Sequence, residues 1–452
     1  MRSRRAVPPA LLLLLALPLF FPASAGAQSS DRIWGRITTD EGEVLEGFIR
    51  WDRNEGAWVD LLDGSKYAAE FESLDWWALA HPDESRSRDR VIEYGGYRIT
   101  WADDVPDFPS SFESGIRMGH ISRLVVEDNE ARLELRSGEE VVLHGGLTDI
   151  GRDLREILVV DARGRETELE WGDLADLEFS EAPLGVTGAG ERLHGTVHLA
   201  DGQGFTGYIA WDLTDILTTD PLEGEDSEGR QREYLYEDIA SIRPSGDGAE
   251  IVLKNGNRFE LYREEDVSDR NDGIHVSDPA LGLIDLDWED LESVEFHRPE
   301  TPVGLDAFDG GRHLRGTVTT TDSTEISGWI RWDGDEAYSW ELLDGRSSDG
   351  VGFDIELGQI DTIERFARAA VEVSMGTGGV RVDTPLTEGA RVTLRDGREF
   401  ELGESNDVDE SNHGVFLLPY ELGVTPEDED AVWVRVRWED FQSVRFDWEE
   451  GR

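Results

Sequence analysis

Short stretches in which apolar and charged residues alternate recur along the chain. Three of them end in a tryptophan, at Thr167–Trp171, Ile284–Trp288 and Val434–Trp438. A period of two places one face of a strand on a core and the other in water. Turn dipeptides such as Asn255-Gly256 and Asp396-Gly397 separate neighbouring stretches and favour tight hairpins. Because no long stretch has the 3.6-residue period of a helix, the pattern predicts an all-β, antiparallel protein with few or no long helices.

A repeated motif divides the chain into three. It consists of Gly, eleven residues, Gly, three residues and Trp-Asp, with an acid three residues after the Asp. The copies are Gly35, Gly47, Trp51, Asp52 and Glu55; Gly195, Gly207, Trp211, Asp212 and Asp215; and Gly316, Gly328, Trp332, Asp333 and Glu336. A second β-rich stretch that ends in one of the tryptophan strands follows each copy. Each long repeat is therefore predicted to hold two related β-units.

The predicted domains follow from this repeat. They are a signal peptide over 1–27 and repeats over 28–182, 183–300 and 301–452. The first repeat carries an insertion at 78–117 and the third carries one at 367–389. The linkers between repeats are short and alike, which predicts a fixed angle between repeats and an elongated, rigid array. Insertions on a repeated scaffold are common places for function.

The start of each repeat resembles the first motif of Sm-like small barrels, which are related to SH3-like barrels. The resemblance rests on Gly42 and Gly202, each five residues before Gly47 or Gly207, followed by an apolar strand and an Asp. The third copy has Ser323 in place of the first Gly, and an acid replaces the Asn of that family. The resemblance implies a small-barrel shape. The fold prediction is thus three tandem repeats, each of two small SH3/Sm-like antiparallel β-barrels.

The N-terminal residues have the layout of a secretory signal peptide. Arg2, Arg4 and Arg5 form a positive start, an apolar stretch covers 11–21, and Ala25–Ala27 offers small residues for cleavage. The apolar stretch is shorter than the ~20 residues of a membrane span, and no second one follows. The chain is therefore predicted to be exported to the periplasm or the exterior, with no transmembrane segment after signal removal.

Charge and cysteine content narrow the classes of partner. The formal charge is −56, from 99 acidic and 43 basic residues. Nucleic acid binding needs Lys and Arg to neutralise phosphates, so it is excluded, as is the RNA binding that the Sm-like resemblance would imply. The chain has no cysteine, so its stability in an exported setting must come from packed cores. The expected partners are other envelope or extracellular proteins, or glycans.

Two groups of aromatic residues receive different predictions. The insertion aromatics Trp76, Trp77, Tyr94, Tyr97 and Trp101 are candidates for a ligand surface, and the alternative is a small core under a long loop. The recurrent tryptophans occupy fixed strand positions and are predicted to fill cores. They are Trp51, Trp211, Trp332, Trp171, Trp288 and Trp438.

The repeated acid pairs are the candidate metal ligands. Carboxylates three residues apart at the end of a strand offer the oxygens that a hard cation such as Ca²⁺ takes. The alternative is an Asp that accepts hydrogen bonds from the amides of its own turn, beside an exposed acid. No other cofactor is predicted. The pairs are Asp52 with Glu55, Asp212 with Asp215, and Asp333 with Glu336.

The sequence holds none of the common catalytic motifs. GxSxG, HExxH, the P-loop, a GxGxxG after a strand and a cysteine nucleophile are all absent from it. The sequence therefore predicts a non-enzymatic β-repeat protein that acts as an interaction or structural scaffold in the bacterial envelope or exterior. The alternatives are a carbohydrate-binding protein that uses the insertion aromatics, a carboxylate-pair hydrolase, and a Ca²⁺-binding surface protein.

Overall fold

The protein is all-β, as the alternation predicts. The computed structural model describes residues 30–67, 89–94, 97–102, 111–145, 149–188, 190–368, 388–428, 431 and 433–448, with the backbone alone at 89–94 and 97–102. The described strands form antiparallel sheets of ten, twelve and eight strands and one separate two-stranded hairpin. The signal peptide predicted over 1–27 lies outside the described residues.

The strands of the first repeat are β1 (Trp34–Thr39), β2 (Val44–Arg50), β3 (Leu61–Tyr67), β4 (Asp89–Tyr94), β5 (Tyr97–Ala102), β6 (Ser111–Arg117), β7 (Ile121–Glu127), β8 (Glu130–Leu135), β9 (Glu140–His144), β10 (Ile157–Val160), β11 (Glu166–Leu169) and β12 (Leu174–Phe179). Those of the second are β13 (His194–Leu199), β14 (Gly204–Trp211), β15 (Pro221–Glu225), β16 (Gln231–Leu235), β17 (Ile239–Ser245), β18 (Gly248–Leu253), β19 (Arg258–Tyr262), β20 (Ile274–Asp278), β21 (Gly282–Leu286) and β22 (Leu291–Phe296).

The strands of the third repeat are β23 (Arg315–Thr320), β24 (Glu325–Arg331), β25 (Leu342–Arg346), β26 (Gly352–Glu356), β27 (Ile360–Ala367), β28 (Glu388–Leu394), β29 (Glu399–Leu402), β30 (Val415–Pro419), β31 (Val434–Val436) and β32 (Phe441–Phe446). The described helices are single 3₁₀ turns at Met118–His120, Trp171–Asp173, Tyr236–Asp238, Glu265–Val267, Trp288–Asp290, Leu305–Ala307, Leu357–Gln359, Tyr420–Leu422 and Trp438–Asp440. None of these described helices is long and apolar enough to cross a membrane.

The three repeats share one strand order. In the second repeat the order is β16-β15-β19-β18-β17-β22-β13-β14-β20-β21. The first repeat has the same order, from β6-β3-β9 through to β10-β11, with the β4–β5 hairpin added. In the third repeat the strands from β29 to β31 keep the order, the β25–β26 hairpin is bridged to the end of β29 through Arg346 and Gly403, and β26 also pairs with β21 of the second repeat. The sheet of the second repeat therefore ends in a hairpin that belongs to the third.

The two β-units of a repeat are interleaved and do not form separate closed barrels. The last strand of the first repeat, β12, pairs with both β1 and β7, and β2 pairs with β10. Hydrogen bonding thus runs through one ten-stranded sheet whose end strands β6 and β11 do not pair with each other. Two separate small barrels were the expectation for each repeat. The structure has one continuous sheet instead, because strands of the second unit pair with strands of the first.

The recurrent glycines are required by close approach of neighbouring strands. Gly35 lies directly opposite Gly47 in the β1–β2 register, and the other repeats have the same pairing. A Cβ on Gly47 would lie 2.4 Å from the carbonyl oxygen of Val160 on β10. The equivalent distances at Gly207 and Gly328 are 2.5 Å and 2.3 Å. The glycines of the motif therefore mark a point where neighbouring strands are too close for a side chain.

The first and third repeats contact each other directly. Phe308 and Trp340 of the third repeat pack into the core cluster of the first. A Cβ on Gly119 would lie 2.2 Å from the Phe308 ring. The core clusters of the second and third repeats merge into one. The expectation of an elongated array is therefore wrong, since the third repeat packs against both of the others.

Candidate functional site

The recurrent tryptophans lie in the cores. Trp51, Trp211 and Trp332 are fully buried. Each contacts the second recurrent tryptophan of its own repeat edge-to-face, with ring centroids 6.1 to 6.2 Å apart. Those partners, Trp171, Trp288 and Trp438, are buried as well. The Nε1 of each first tryptophan donates to a backbone carbonyl at 2.9 to 3.0 Å, and the acceptors belong to Asp149, Asp266 and Asp407.

The Asp after each of these tryptophans holds a distant loop. Asp52, Asp212 and Asp333 have left-handed backbone, with φ of 41°, 52° and 45°, a conformation that Asp tolerates in tight turns. The Oδ1 of each accepts a backbone N–H from the segment that leads into β10, β20 or β30 of the same repeat. The donors are Arg155, Asp272 and His413. Each Asp thus fastens a remote loop to its turn, instead of bonding only within its own turn.

A third acid completes this arrangement and was not among the predicted site residues. The Oδ2 atoms of Asp149, Asp266 and Asp407 accept backbone N–H groups at 2.6 to 2.8 Å from residues near the start of the third strand of each repeat. In the second and third repeats an Asp-Val pair followed by Asn and Gly marks this position. In the first repeat the Asn and Gly are missing, which hides the position from sequence comparison.

The second acid of each predicted pair is removed from water. Glu55 and Glu336 are buried, and Asp215 is partly buried beneath the hydroxyl of Tyr236, which donates to its Oδ2 at 3.2 Å. Burial, followed by repulsion from Asp266 and Asp220, raises the pKa of Asp215 to about 8.

The acid pairs show no convergent ligand set for a metal. Burial raises the pKa of Glu55 and of Glu336 well above the ordinary value, which disfavours the charged form that would bind a metal ion. In the part of the chain that the structure describes, no group of three or more His, Cys, Asp or Glu side chains is arranged to hold a metal ion. Ca²⁺ binding by these pairs stays a prediction.

A fourth recurrent acid receives a cationic side chain from another repeat. It stands five residues after the second acid in every copy, at Asp60, Asp220 and Glu341. One of its carboxylate oxygens accepts two backbone N–H groups of its own turn. The constant spacing was a sequence signal for this residue. The cross-repeat pairs are Asp60 with Arg192 at 3.1 Å, Asp220 with Arg50 at 3.2 Å, and Glu341 with Lys66 at 2.6 Å.

The acid turn of the third repeat borders a cavity between the first and third repeats. We call it the acidic cavity; its volume is about 670 Å³. Eight acidic residues line it, and Lys66 and His413 are the basic residues among its described lining. The first repeat contributes Asp63 and Glu113, and the third contributes Asp335, Glu336, Glu341, Asp344, Asp354 and Asp407.

A second cavity of about 480 Å³ adjoins the acidic cavity. It shares Lys66, Asp335 and Glu341 with it, and its walls include the rings of Tyr67, Tyr338 and Trp340. The Tyr338 and Trp340 rings are nearly parallel, at 19° and a centroid distance of 6.2 Å. The acids Glu139, Glu140 and Glu427 line this second cavity too, together with Arg331 and His313.

Burial and crowding govern ionisation in the acidic cavity. Burial, followed by repulsion between neighbouring carboxylates, raises the pKa of Asp407 well above its ordinary value, and burial, followed by repulsion from Asp344, raises that of Asp354 to about 7. Burial favours the neutral amine of Lys66, but the carboxylates of Glu341 and Asp335 outweigh it and hold the pKa of Lys66 above the ordinary value. The lysine therefore stays charged among acids that tend to keep their protons.

The insertion aromatics are only partly described. Trp76 and Trp77 lie outside the described residues. Tyr94, Tyr97 and Trp101 lie on the β4–β5 hairpin, where Tyr94 is opposite Tyr97 and Trp101 is opposite Arg90. Of the predicted insertion 78–117, the segment that forms β6 takes the position in the sheet that β16 takes in the second repeat. Glycan binding by these aromatics stays a prediction.

Comparisons with protein-family models, with curated proteins and with solved structures give no match for this chain.

Proposed function

We propose that the chain is an exported, non-enzymatic β-repeat protein that serves as an interaction scaffold in the bacterial envelope or exterior. The observation that carries the proposal is the set of buried links that join the repeats. The Arg192 guanidinium is buried and binds Asp60 of the first repeat. Losing one partner of such a buried pair costs about 3 to 5 kcal/mol, so the link fixes the two repeats relative to each other.

A second buried guanidinium joins all three repeats. Arg117 of the first repeat donates to the carbonyls of Asp278 and Pro279 in the second, at 2.9 and 3.0 Å. Its Nε also lies 3.1 Å from Oε2 of Glu356 in the third repeat. A body locked in this way presents its surface in a fixed geometry, so it loses little conformational freedom when it binds a partner.

Charge and sequence supply the remaining support. A chain with 99 acidic and 43 basic residues attracts cationic partners and disfavours anionic ones. The recurrent acids and tryptophans are engaged in holding turns, loops and cores, which favours a structural role over a catalytic one. The signal-like N-terminus favours export.

Site-specific photo-crosslinking in intact cells tests the scaffold role. The exposed apolar residues Val44, Leu184 and Leu422 are suitable positions for the photo-reactive amino acid. We expect a discrete adduct with the same partner in repeated experiments, from at least one position, and no adduct without irradiation. Absence of an adduct from all three positions would contradict the proposal.

Export has a separate test. Cell fractionation and N-terminal sequencing are expected to recover the protein outside the cytoplasm, beginning at Gln28. Recovery of the uncut chain in the cytoplasm would overturn the exported part of the proposal.

A further inference from the structure

We infer that the acidic cavity binds an alkylammonium or guanidinium group, supplied by a free polyamine or by a Lys or Arg side chain of a partner protein. The inference deepens the proposed function and rests on it, because it assigns a ligand chemistry to one place on the scaffold. Three observations carry it: the use of cations at the equivalent turns, two buried oxygens without partners, and the shape of the cavity.

The protein already uses its acid turns to hold cations. In the first repeat Asp60 binds the Arg192 guanidinium, and in the second repeat Asp220 binds that of Arg50. In the third repeat Glu341 binds the smaller ammonium group of Lys66. Here the receptor opens into a cavity of about 670 Å³ in which eight acids face two basic residues. The acid turn of the third repeat therefore combines the same chemistry with an open cavity and more acidic than basic residues.

Two carboxyl oxygens in this cavity have no hydrogen-bond partner. Asp335 and Glu336 are 3% and 6% exposed, and both line the acidic cavity. Within the described structure, Asp335 Oδ1 and Glu336 Oε2 make no hydrogen bond. Buried polar oxygens without partners are costly. A proton shared between the two carboxyls, or an N–H group of an incoming cation, would satisfy them.

Volume and wall chemistry favour an organic cation over a bare metal ion. The described residues offer no group of three or more His, Cys, Asp or Glu arranged for a metal. The cavity is far larger than one ion, and the adjoining cavity adds the rings of Tyr67, Tyr338 and Trp340. Aromatic faces attract ammonium and guanidinium groups. A ligand that enters both cavities would meet acidic side chains in each of them and tyrosine rings in the second.

Binding should release protons. Burial raises the pKa of Glu336 well above its ordinary value and that of Asp335 to about 7, and a cation placed beside them would favour the carboxylates. Affinity should therefore increase as the pH rises through about 7, the pKa of Asp335. The charged or titratable groups around Glu336 and its neighbour Asp335 are Lys66, Arg331, Asp333, Glu341 and Asp407, with His413 bound to Asp333.

Calorimetric titration of the mature protein with spermidine and with a tetra-arginine peptide tests the inference. We expect one-to-one binding of at least one probe at about 0.15 M NaCl, where long-range attraction is screened. Repeating the titration in two buffers of different ionisation enthalpy should reveal proton release. Binding of spermidine alone would identify a free polyamine as the source, and binding of the peptide alone would identify a protein side chain.

Substitutions locate the site. The double variant Asp335→Asn, Glu336→Gln should weaken binding about tenfold or more, because the amides cannot release a proton to become carboxylates beside the cation. Glu55→Gln is the matched control, since Glu55 is the equivalent buried acid of the first repeat and does not line the acidic cavity. It should leave the affinity unchanged. Glu113→Gln, at an exposed lining residue, guards against misfolding of the double variant and should weaken binding severalfold.

Three results would overturn the inference: neither probe binds, the double and Glu113 variants bind as the unaltered protein does, or Glu55→Gln weakens binding equally. If a partner is nevertheless crosslinked to the exposed positions in cells, the scaffold proposal stands and only the cavity assignment fails. If no partner is crosslinked but a probe binds in the cavity, the scaffold role fails and the ligand site remains.

Discussion

At the scale of single residues, the protein holds many carboxyl groups in buried or partly buried positions. Asp215 shows the pattern, since it lies beneath the Tyr236 hydroxyl and beside other acids. In most proteins a buried carboxylate is paired with a cation. Here a hydroxyl and a retained proton take the place of the cation. Hydrogen bonding at these positions therefore depends on protonation.

Tyr236→Phe should destabilise the protein by about 1 to 3 kcal/mol, because it leaves a buried carboxyl without its hydrogen bond. Urea denaturation, followed by tryptophan fluorescence, measures the effect. Tyr262→Phe is the control, since its hydroxyl contacts Glu260 in an exposed setting, and its denaturation midpoint should not change. Equal behaviour of the two variants would show that the buried hydrogen bond contributes nothing.

Asp215→Asn should reduce the pH dependence of stability. The pKa of Asp215 is about 8 in the folded protein against an ordinary value of 3.8, so between these values the folded state binds a proton that the unfolded state has lost. Stability from this group is therefore full below about pH 4 and is lost as the pH rises through about 8. The melting temperature of the unaltered protein should fall between pH 5 and pH 8, and the fall should be smaller in the variant.

Asp226→Asn is the control for that measurement. Desolvation raises the pKa of Asp226, but hydrogen bonds from Arg232 and Arg230 outweigh this effect and hold the pKa below its ordinary value. This group loses its contribution only in strongly acidic solution. The variant should keep the slope of the unaltered protein between pH 5 and pH 8. If both variants change the slope alike, Asp215 is not the source of the dependence.

At the scale of secondary-structure elements, the main feature is that the β25–β26 hairpin bridges two repeats. It keeps the place that β15–β16 has in the second repeat, because Arg346 is bridged to Gly403 at the end of β29 as Glu225 is to Tyr262 of β19. In addition, β26 pairs with β21. Gly282, the first residue of β21, lies opposite Ile355 in this pairing. The seam between two repeats is therefore a backbone ladder, in addition to side-chain contacts.

Gly282→Ala should disrupt this ladder, since a Cβ at this position would lie 1.9 Å from the carbonyl oxygen of Asp354. Overpacking of this kind costs about 1 to 3 kcal/mol. Amide exchange at Glu356, whose N–H donates to the carbonyl of Leu281 across this seam at 3.0 Å, should become faster. Gly172→Ala has nothing within 4 Å of the added carbon and should leave exchange at this amide unchanged. An unchanged exchange rate at Glu356 in the Gly282 variant would contradict the prediction.

The sequence predicted the strands and their threefold repetition because alternation and spacing are local properties. It did not predict which strands pair, because β12 reaches both β1 and β7 across the whole repeat. The acid pairs were found by recurrence, and Asp60 was overlooked despite an equally regular position. The acidic cavity was out of reach, since it forms only where Asp63 and Asp335 meet across two repeats.

At the scale of the whole molecule, the closed arrangement of the repeats brings like charges together. A formal charge of −56 on a body whose first and third repeats touch produces stronger self-repulsion than the same charge on an extended chain. Lys66 and the cross-repeat arginines offset this repulsion at the seams. Stability should therefore depend on ionic strength more strongly than is usual.

The melting temperature should rise when NaCl is increased from about 0.1 to 1 M, because the screening length falls from about 10 to 3 Å. Differential scanning fluorimetry measures the shift. Most of the rise should occur in the lower half of this range. Sucrose solutions of equal osmolality serve as the control. They should not reproduce the dependence of the melting temperature on NaCl concentration. A melting temperature that does not respond to salt would show that self-repulsion is unimportant.

The β25–β26 hairpin, which bridges two repeats, also sets an order of events during synthesis. The strand β21 is complete long before residues 342–356 are made, so the second repeat must wait with an open sheet edge. Lys66 and Arg117 of the first repeat likewise wait for acids of the third. Open edges invite pairing with other chains. Release from that hazard comes only near the end of translation, which makes the third repeat the closing piece of the molecule and not one more copy of a module.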